Sequence, residues 1–182
     1  IVSPSIEEIT CPGPLTATCD ISEQPAYADF NEFITAGGSA SIPTNGVIDS
    51  TSFTLLSEVS DGNSCPEIVT RTYQIADTCG VTVTCTQTIT INDEVAPTGT
   101  APADITVQCI AEVPVADVTL ITDAADNCTA VPTMTHVSDV SDGNTCPEII
   151  TRTYNIADDC GNSIDVIQTF TINDDILPTG TA

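Results

Sequence analysis

Hydrophobic and polar residues alternate with a period of two along several short segments of this chain. In "EIVTRTYQIAD", residues 67–77, one face is formed by Val69, Arg71, Tyr73 and Ile75. The segment "VTVTCTQTITIND", residues 81–93, alternates in the same way and places threonine on its second face. Such alternation of β-branched residues is typical of half-buried strands. Short strands of this kind, separated by Gly, Pro, Asn and Asp, predict an all-β protein of immunoglobulin-like β-sandwich domains.

One segment departs from the period of two. In "YADFNEFITAGG", residues 27–38, the aromatic residues Tyr27, Phe30 and Phe33 recur at helical spacing. Gly37 and Gly38 follow directly, and glycine is a common signal for the end of a helix. We therefore expect a short helical insertion here.

The strand pattern occurs twice. Ser60 and Ser141 begin the same motif, "SDGN", at positions 81 residues apart. Residues 57–101 and 138–182 align without a gap and are identical at 30 of 45 positions. Such an internal repeat predicts two tandem domains, residues 1–96 and 97–182. Because "ND…PTG" closes both copies and no initiator Met is present, we expect the chain to be a piece of a longer protein with a third domain after it.

The charge of the chain limits the classes of molecule that it can bind. Arg71 and Arg152 are its only basic side chains, against 26 Asp and Glu, for a formal charge of -24. Binding of nucleic acid or of anionic lipid requires clustered Lys and Arg, so both are excluded. No apolar run approaches the ~18 residues that a membrane span requires. A strongly negative chain favours cations as partners.

Nine cysteines and few aromatic residues point to a disulfide-stabilised protein. Aromatic residues make up 4% of the chain, which has no Trp, so a small domain can bury little core. The single histidine, His136, and the cysteine spacing do not fit a zinc site. Disulfide bonds in an oxidising compartment are the better interpretation.

The predicted topology suggests how the cysteines pair. In copy two, Cys109 and Cys146 lie at one end of the domain, and Cys128 and Cys160 lie at the other. We therefore predict three framework bonds: Cys109–Cys146, Cys128–Cys160 and, by the repeat, Cys19–Cys65.

Cys79 is the equivalent of Cys160 in copy two, where we predict a bond to Cys128. Copy one has "SIPTNG" where copy two has "AADNCT", so it has no cysteine equivalent to Cys128. We predict a Cys11–Cys85 bond and a free thiol at Cys79. A local Cys79–Cys85 bridge remains the alternative.

No catalytic constellation is visible. His136 stands alone and has no counterpart in copy one, and no pair of carboxylates is marked out for acid–base work. Arg71 and Arg152 lie on an inward face, where a structural ion pair is the favoured interpretation. We predict that the chain is not an enzyme.

The aromatic residues allow two interpretations. Four of them fall on predicted core faces: Phe53, Tyr73, Tyr154 and Phe170. The other three, Tyr27, Phe30 and Phe33, either form a sugar-binding platform or are the buried face of the helix, and we favour the buried face.

The combination "ITVQC", "DNC", "SDGNTCP", "TRTY", "DDCGN", "TFTIND" and "PTGTAP" resembles the hyalin-repeat-like domains of Bacteroidota cell-surface proteins, and most of all the repeat region of SprB-type gliding adhesins. The resemblance implies an extracellular filament that is anchored to the outer membrane through other parts of its parent protein and exported by type IX secretion. Copy one departs from the pattern because it lacks "DNC".

The repeats therefore favour a structural segment of an adhesive stalk, with gliding motility and surface adhesion as its setting. The partners would be neighbouring repeats and an unknown surface or glycan ligand. The alternative is a carbohydrate- or partner-binding module of a secreted protein.

Acidic residues predicted near the domain junction suggest calcium, which takes six to eight oxygen ligands. The "ND…P" linker also resembles the cadherin linker, which implies calcium between tandem sandwiches. The alternative is a flexible, solvated acidic linker. The candidate ligands are Asp61, Asn92, Asp93, Glu94, Asp104, Asp126, Asn127, Asp158 and Asp159.

The sequence also contains a candidate glycosylation site. The tripeptide Asp49-Ser50-Thr51 resembles the site at which Bacteroidota O-glycosylate secreted proteins. We predict that Ser50 lies in an accessible polar loop and carries the glycan.

Overall fold

The structure is a computed structural model that describes residues 5–42 and 46–180. The chain divides into two compact units, Ile1–Asp93 and Glu94–Ala182, whereas the sequence placed the boundary after Ala96. About 45% of it is strand and 9% helix, with sheets of β-sandwich type, so the predicted fold class is confirmed. Part of "SIPTNG", residues 43–45, lies outside the described residues.

The first unit contains a four-stranded sheet and a two-stranded one. The four-stranded sheet has the order β2-β6-β5-β4, and β1 pairs with β3. The bounds are β1 Glu8–Thr10, β2 Leu15–Ala17, α1 Phe30–Thr35, β3 Ser39–Ser41, β4 Ile48–Ser60, β5 Glu67–Asp77 and β6 Thr82–Ile91, with a 3₁₀ turn at Ile21–Glu23.

The second unit repeats the four-stranded sheet, in the order β7-β10-β9-β8. Its strands are β7 Ile105–Val107, β8 Thr133–Ser141, β9 Glu148–Ala157 and β10 Ser163–Ile172. Between β7 and Cys128 the described residues form no further strand. That region instead forms 3₁₀ turns at Ile110–Glu112 and Val118–Leu120 and an isolated bridge between Thr98 and Ala125.

The first strand of each sheet runs parallel to the last strand. β2 pairs with β6 from Leu15 opposite Ile89 to Ala17 opposite Ile91. β7 pairs with β10 in the same way one repeat later. Each of these pairings covers only three residues, so it requires support from side chains.

Two equivalent glutamines provide that support. Gln87 on β6 and Gln168 on β10 are each only 2% exposed. Gln87 Nε2 donates to the carbonyl of Gly13 at 2.8 Å, and Gln168 Nε2 donates to that of Ala103 at 2.7 Å. Each glutamine thus fixes the backbone just before the short first strand, and pairing the buried Nε2 donor in this way avoids its desolvation cost.

The inward face of the long strands is the one that the alternation predicts. Val69, Arg71, Tyr73 and Ile75 are buried on β5, while the residues between them are exposed or half-buried. All four aromatic residues assigned to the core, Phe53, Tyr73, Tyr154 and Phe170, are buried.

The predicted helix is also present. Asp29 is its N-cap and accepts a hydrogen bond from the Glu32 backbone, and Gly37 follows its end with φ +100°. Phe33 is fully buried and packs against Gly38, where a Cβ atom would overlap the phenyl ring. The buried-face interpretation therefore holds for Phe33, which cannot be part of an exposed platform.

The Cys11–Cys85 disulfide is present as predicted, which excludes the local Cys79–Cys85 bridge. Cys79 carries an exposed thiol. Cys19, Cys65, Cys128 and Cys160, which make up two of the predicted framework pairs, are disulfide-bonded.

The predicted Cys109–Cys146 bond is not formed in the structure, where both residues are exposed thiols. The two lie at the same end of the sheet, as predicted, because Val107 and Glu148 both pair with Ile172. However, the Cys146 Sγ is directed to Asn173 Oδ1 at 3.6 Å and to the carbonyl of Asp174 at 3.7 Å. This orientation, rather than the topology, is why the bond is absent.

The Cys11–Cys85 bond spans 74 residues and should contribute much of the stability of the first unit. Replacing Cys11→Ala together with Cys85→Val, the residue that copy two has at Val166, is expected to lower its free energy of unfolding by about 4 kcal/mol. Urea unfolding followed by the amide signals of each unit measures this. The second unit serves as the internal control, and an unshifted transition in the first unit would contradict the prediction.

Candidate functional site

The repeated "SDGN" motif builds a turn. Asp61 Oδ1 accepts from the backbone N–H groups of Asn63 at 3.1 Å and Ile68 at 3.2 Å, and its Oδ2 accepts from Asn63 Nδ2 at 2.9 Å. Asp142 makes the same three bonds one repeat later. The backbone hydrogen bonds hold the pKa of both carboxyls below the usual range. Both copies therefore use this aspartate to shape the turn, and a metal role for Asp61 stays a prediction.

The turn between β9 and β10 is organised by another predicted ligand. Asp158 is buried, and its Oδ1 accepts from the backbone N–H groups of Cys160 at 2.9 Å and Asn162 at 2.8 Å. Its Oδ2 accepts from Asn162 Nδ2 at 2.8 Å. Asp77 holds the matching turn in the first unit, where the N–H of Val81 is the main cause of its lowered pKa.

Asp126 stabilises the neighbouring loop. Its Oδ2 accepts from the backbone N–H groups of Cys128 at 2.9 Å and Thr129 at 2.8 Å. The hydroxyl of Thr129 in turn accepts from the backbone N–H of Asp159 at 3.0 Å. This chain of bonds joins the "DNC" loop to the β9–β10 turn.

Asp126 and Asp158 are thereby brought together within the second unit. Each offers a carboxylate oxygen, and these oxygens lie within 4.8 Å of one another. Two oxygens at this separation can bind one cation, although calcium requires six to eight ligands. The residues predicted from sequence therefore include one carboxylate pair with suitable geometry.

The remaining predicted ligands have varied environments. Asp104 Oδ1 accepts from the backbone N–H of Thr169 at 2.7 Å and so secures the segment before β7. Asp93 is buried, Asn92 is half-buried, and Glu94, Asn127 and Asp159 are exposed. The Asn127 side chain donates to the sulfur of Cys128 at 2.8 Å.

Both arginines are structural, as expected. Arg71 is 3% exposed, and its Nε donates to Glu58 Oε2 at 2.6 Å. In the second unit Arg152 lies 4.7 Å from the centroid of the Phe170 ring.

Arg152 also binds Asp139 through two hydrogen bonds. Its Nε lies 2.8 Å from Oδ1 and its Nη2 lies 2.7 Å from Oδ2. His136 Nε2 lies 2.9 Å from the same Oδ1, so the single histidine belongs to this ion-pair cluster. Sequence reasoning missed the acidic partners, although their equivalent positions, Glu58 and Asp139, are both acidic.

Ser50 is exposed but does not lie in a loop. It belongs to the edge strand β4, at an irregularity in the β4–β5 pairing that begins after Asp49. Asp49 Oδ1 accepts from the backbone and the hydroxyl of Thr51 at 3.0 and 2.6 Å. The loop expectation was wrong because β4 begins at Ile48 and therefore includes Ser50, although the predicted accessibility is retained.

The second unit resembles a known domain family. Residues 97–172 match the family model of the HYR-like domain with 4 cysteines. Four cysteines fall within that range: Cys109, Cys128, Cys146 and Cys160. The match supports the HYR-like resemblance for this unit, and the internal repeat relates the first unit to it.

A crystal structure of human protocadherin-24 EC1-2 is similar at 9% sequence identity and a TM-score of 0.35, covering 97% of this chain and 100% of that one. No curated protein matches the sequence. In the described part of the chain, no helix is long and apolar enough to cross a membrane.

The Asp139–Arg152 pair should make the stability of the second unit depend on pH. Hydrogen bonding to Arg152 lowers the pKa of Asp139 to about 2. A carboxyl with a depressed pKa contributes stability that is complete above its unfolded value near 4 and is lost as the pH falls toward 2.

Asp139→Asn should therefore destabilise the second unit at neutral pH by about 1–3 kcal/mol, because it removes the charged partner of the buried Arg152. The variant should also show a smaller loss of stability between pH 4.5 and pH 2, as measured by urea unfolding across that range. Asp165→Asn, an exposed carboxylate on β10, is the control. A pH profile unchanged by Asp139→Asn would contradict the assignment.

Proposed function

We propose that this chain is a structural segment of an extracellular adhesive filament. Its setting would be the stalk of a SprB-type gliding adhesin of Bacteroidota, exported by type IX secretion and anchored at the cell surface through other parts of the parent protein. The observation that carries the proposal is the near-identical repeat of a domain whose second copy matches the HYR-like family. Repeated domains add reach and multivalency to a filament.

The described contacts suit a spacer that bears load. In each unit the first strand of the four-stranded sheet pairs with the last, and a buried glutamine secures that pairing. In the first unit a disulfide also joins the segment before β2 to β6. His136 belongs to an ion-pair cluster, and we propose no catalytic role for it.

Removal of this segment from its parent protein tests the proposal. An in-frame deletion in the native organism should shorten the surface filament seen by electron microscopy and weaken surface attachment, while export continues. Deletion of an unrelated segment of equal length outside the repeats is the control. A filament of unchanged length would contradict the spacer role.

We also propose calcium as the cation of this stalk. The carboxylate pair Asp126 and Asp158 of the second unit would supply the first ligands. The chain carries only two cationic side chains to compete with calcium for these oxygens. Asp126 belongs to the "DNC" segment that copy one lacks, so this carboxylate pair is a feature of the second copy.

Small-angle scattering and melting in calcium and then in EDTA test this proposal. Calcium should raise the melting temperature, because a ligand that binds only the folded state stabilises it, and should reduce flexibility between the units. Asp126→Asn keeps an oxygen for the loop hydrogen bonds and should remove the calcium effect, whereas Asp165→Asn should retain it. Identical curves in calcium and EDTA would exclude the site.

The modification of Ser50 stays a proposal. Exposure on an edge strand permits a glycan there. Intact mass of the protein from its native host, compared with that of a Ser50→Ala variant, tests it. Equal masses, apart from the lost hydroxyl oxygen, would exclude the modification.

A further inference from the structure

The helix α1 is flanked by two open grooves within the first unit. One has a volume of about 560 Å³ and is lined by apolar and polar residues, among them Leu15, Pro25, Tyr27, Gln24, Asn31 and Thr35. The other, of about 570 Å³, is lined among others by Phe30, Ile34 and again Asn31. Both volumes lie in the range of small-molecule sites. Asn31 is exposed and lies on the rim that the two grooves share.

Each groove has one half-buried aromatic ring in its wall. Tyr27 is fixed by its hydroxyl, which accepts from Gln87 Nε2 at 3.2 Å, and by ring contacts to Phe33 and Tyr73. Phe30 is fixed by Phe33 and Phe53, with ring centroids 6.0 and 5.8 Å apart. The two rings are therefore rigid surfaces that retain exposed area.

The fold of the repeat does not require this insertion. The second unit builds the same four-stranded sheet with only 3₁₀ turns between β7 and β8, of which Val118–Leu120 is capped by Asp117 as α1 is capped by Asp29. The grooves thus flank a helix that is longer in copy one, and a local change of this kind is how a binding site is added to a repeated scaffold.

We propose that these grooves bind a neutral oligosaccharide that crosses α1 at Asn31. A sugar ring has an apolar C–H face, which suits the Tyr27 and Phe30 rings, and hydroxyl edges that suit amide, hydroxyl and carboxylate groups. Gln24, Asn31 and Thr35 supply such groups in the first groove, together with Glu32. No arginine lines either groove, and Asp29 and Glu32 repel acidic sugars.

The site goes beyond a spacer role, since a spacer needs no ligand. Titration of the full ¹⁵N-labelled chain with malto-, cello-, xylo- and mannohexaose, followed by amide chemical shifts, provides the test. At least one of these neutral hexasaccharides should cause saturable shifts that centre on residues 24–36. An acidic hexasaccharide of galacturonic acid should cause none.

Ala36 lines the first groove and is exposed, so Ala36→Trp fills the groove without entering the core. This variant should weaken binding at least tenfold, and Asn31→Ala should weaken it as well. Ala111→Trp, the same change at an exposed position of the second unit, should leave binding unchanged. The proposal is overturned if no neutral hexasaccharide binds, if the shifts centre elsewhere, or if Ala36→Trp binds as the parent does.

Discussion

The parallel pairing of a three-residue first strand with the last strand holds each unit together. Neither β2 nor β7 is long enough to be stable on backbone hydrogen bonds alone. Buried glutamines bind the backbone just before each of them, and Asp104 adds a second bond in the second unit. The polar residues on the inward face are therefore part of the fold, because they replace the core that a chain with 4% aromatic residues cannot supply.

Differences between the copies show which features belong to the scaffold. Both units keep the "SDGN" turn, the inward arginine with its acidic partner and the buried glutamine. The first unit adds α1, a five-ring aromatic cluster and the Cys11–Cys85 bond, while the second places Arg152 over Phe170. Contacts shared by the two copies, combined with grooves beside the α1 helix of the first, are consistent with a spacer that also carries a binding site.

Local patterns were sufficient to predict much of this structure. Alternation predicted the inward face of β5 and β6, and helical spacing followed by Gly37 predicted α1. The Cys11–Cys85 bond was predicted once the framework pairs had been assigned. The irregular layer of the second unit was not predictable, because 3₁₀ turns have no periodic signature. That Cys109 and Cys146 stay unbonded depends on side-chain orientation, which residue spacing does not specify. The turn-forming roles of Asp61 and Asp158 likewise depend on backbone geometry that spacing does not specify.

Single-molecule pulling on the two ends of the chain tests most directly whether the strand pairing and the disulfide bond make the repeat resist extension. Under non-reducing conditions, unfolding of the first unit should release only residues outside the Cys11–Cys85 loop. A reductant should then add the 74 residues of that loop, or about 250 Å of extended chain at ~3.4 Å per residue. Equal extension with and without reductant would contradict the claim that the Cys11–Cys85 bond keeps its loop from extending under force.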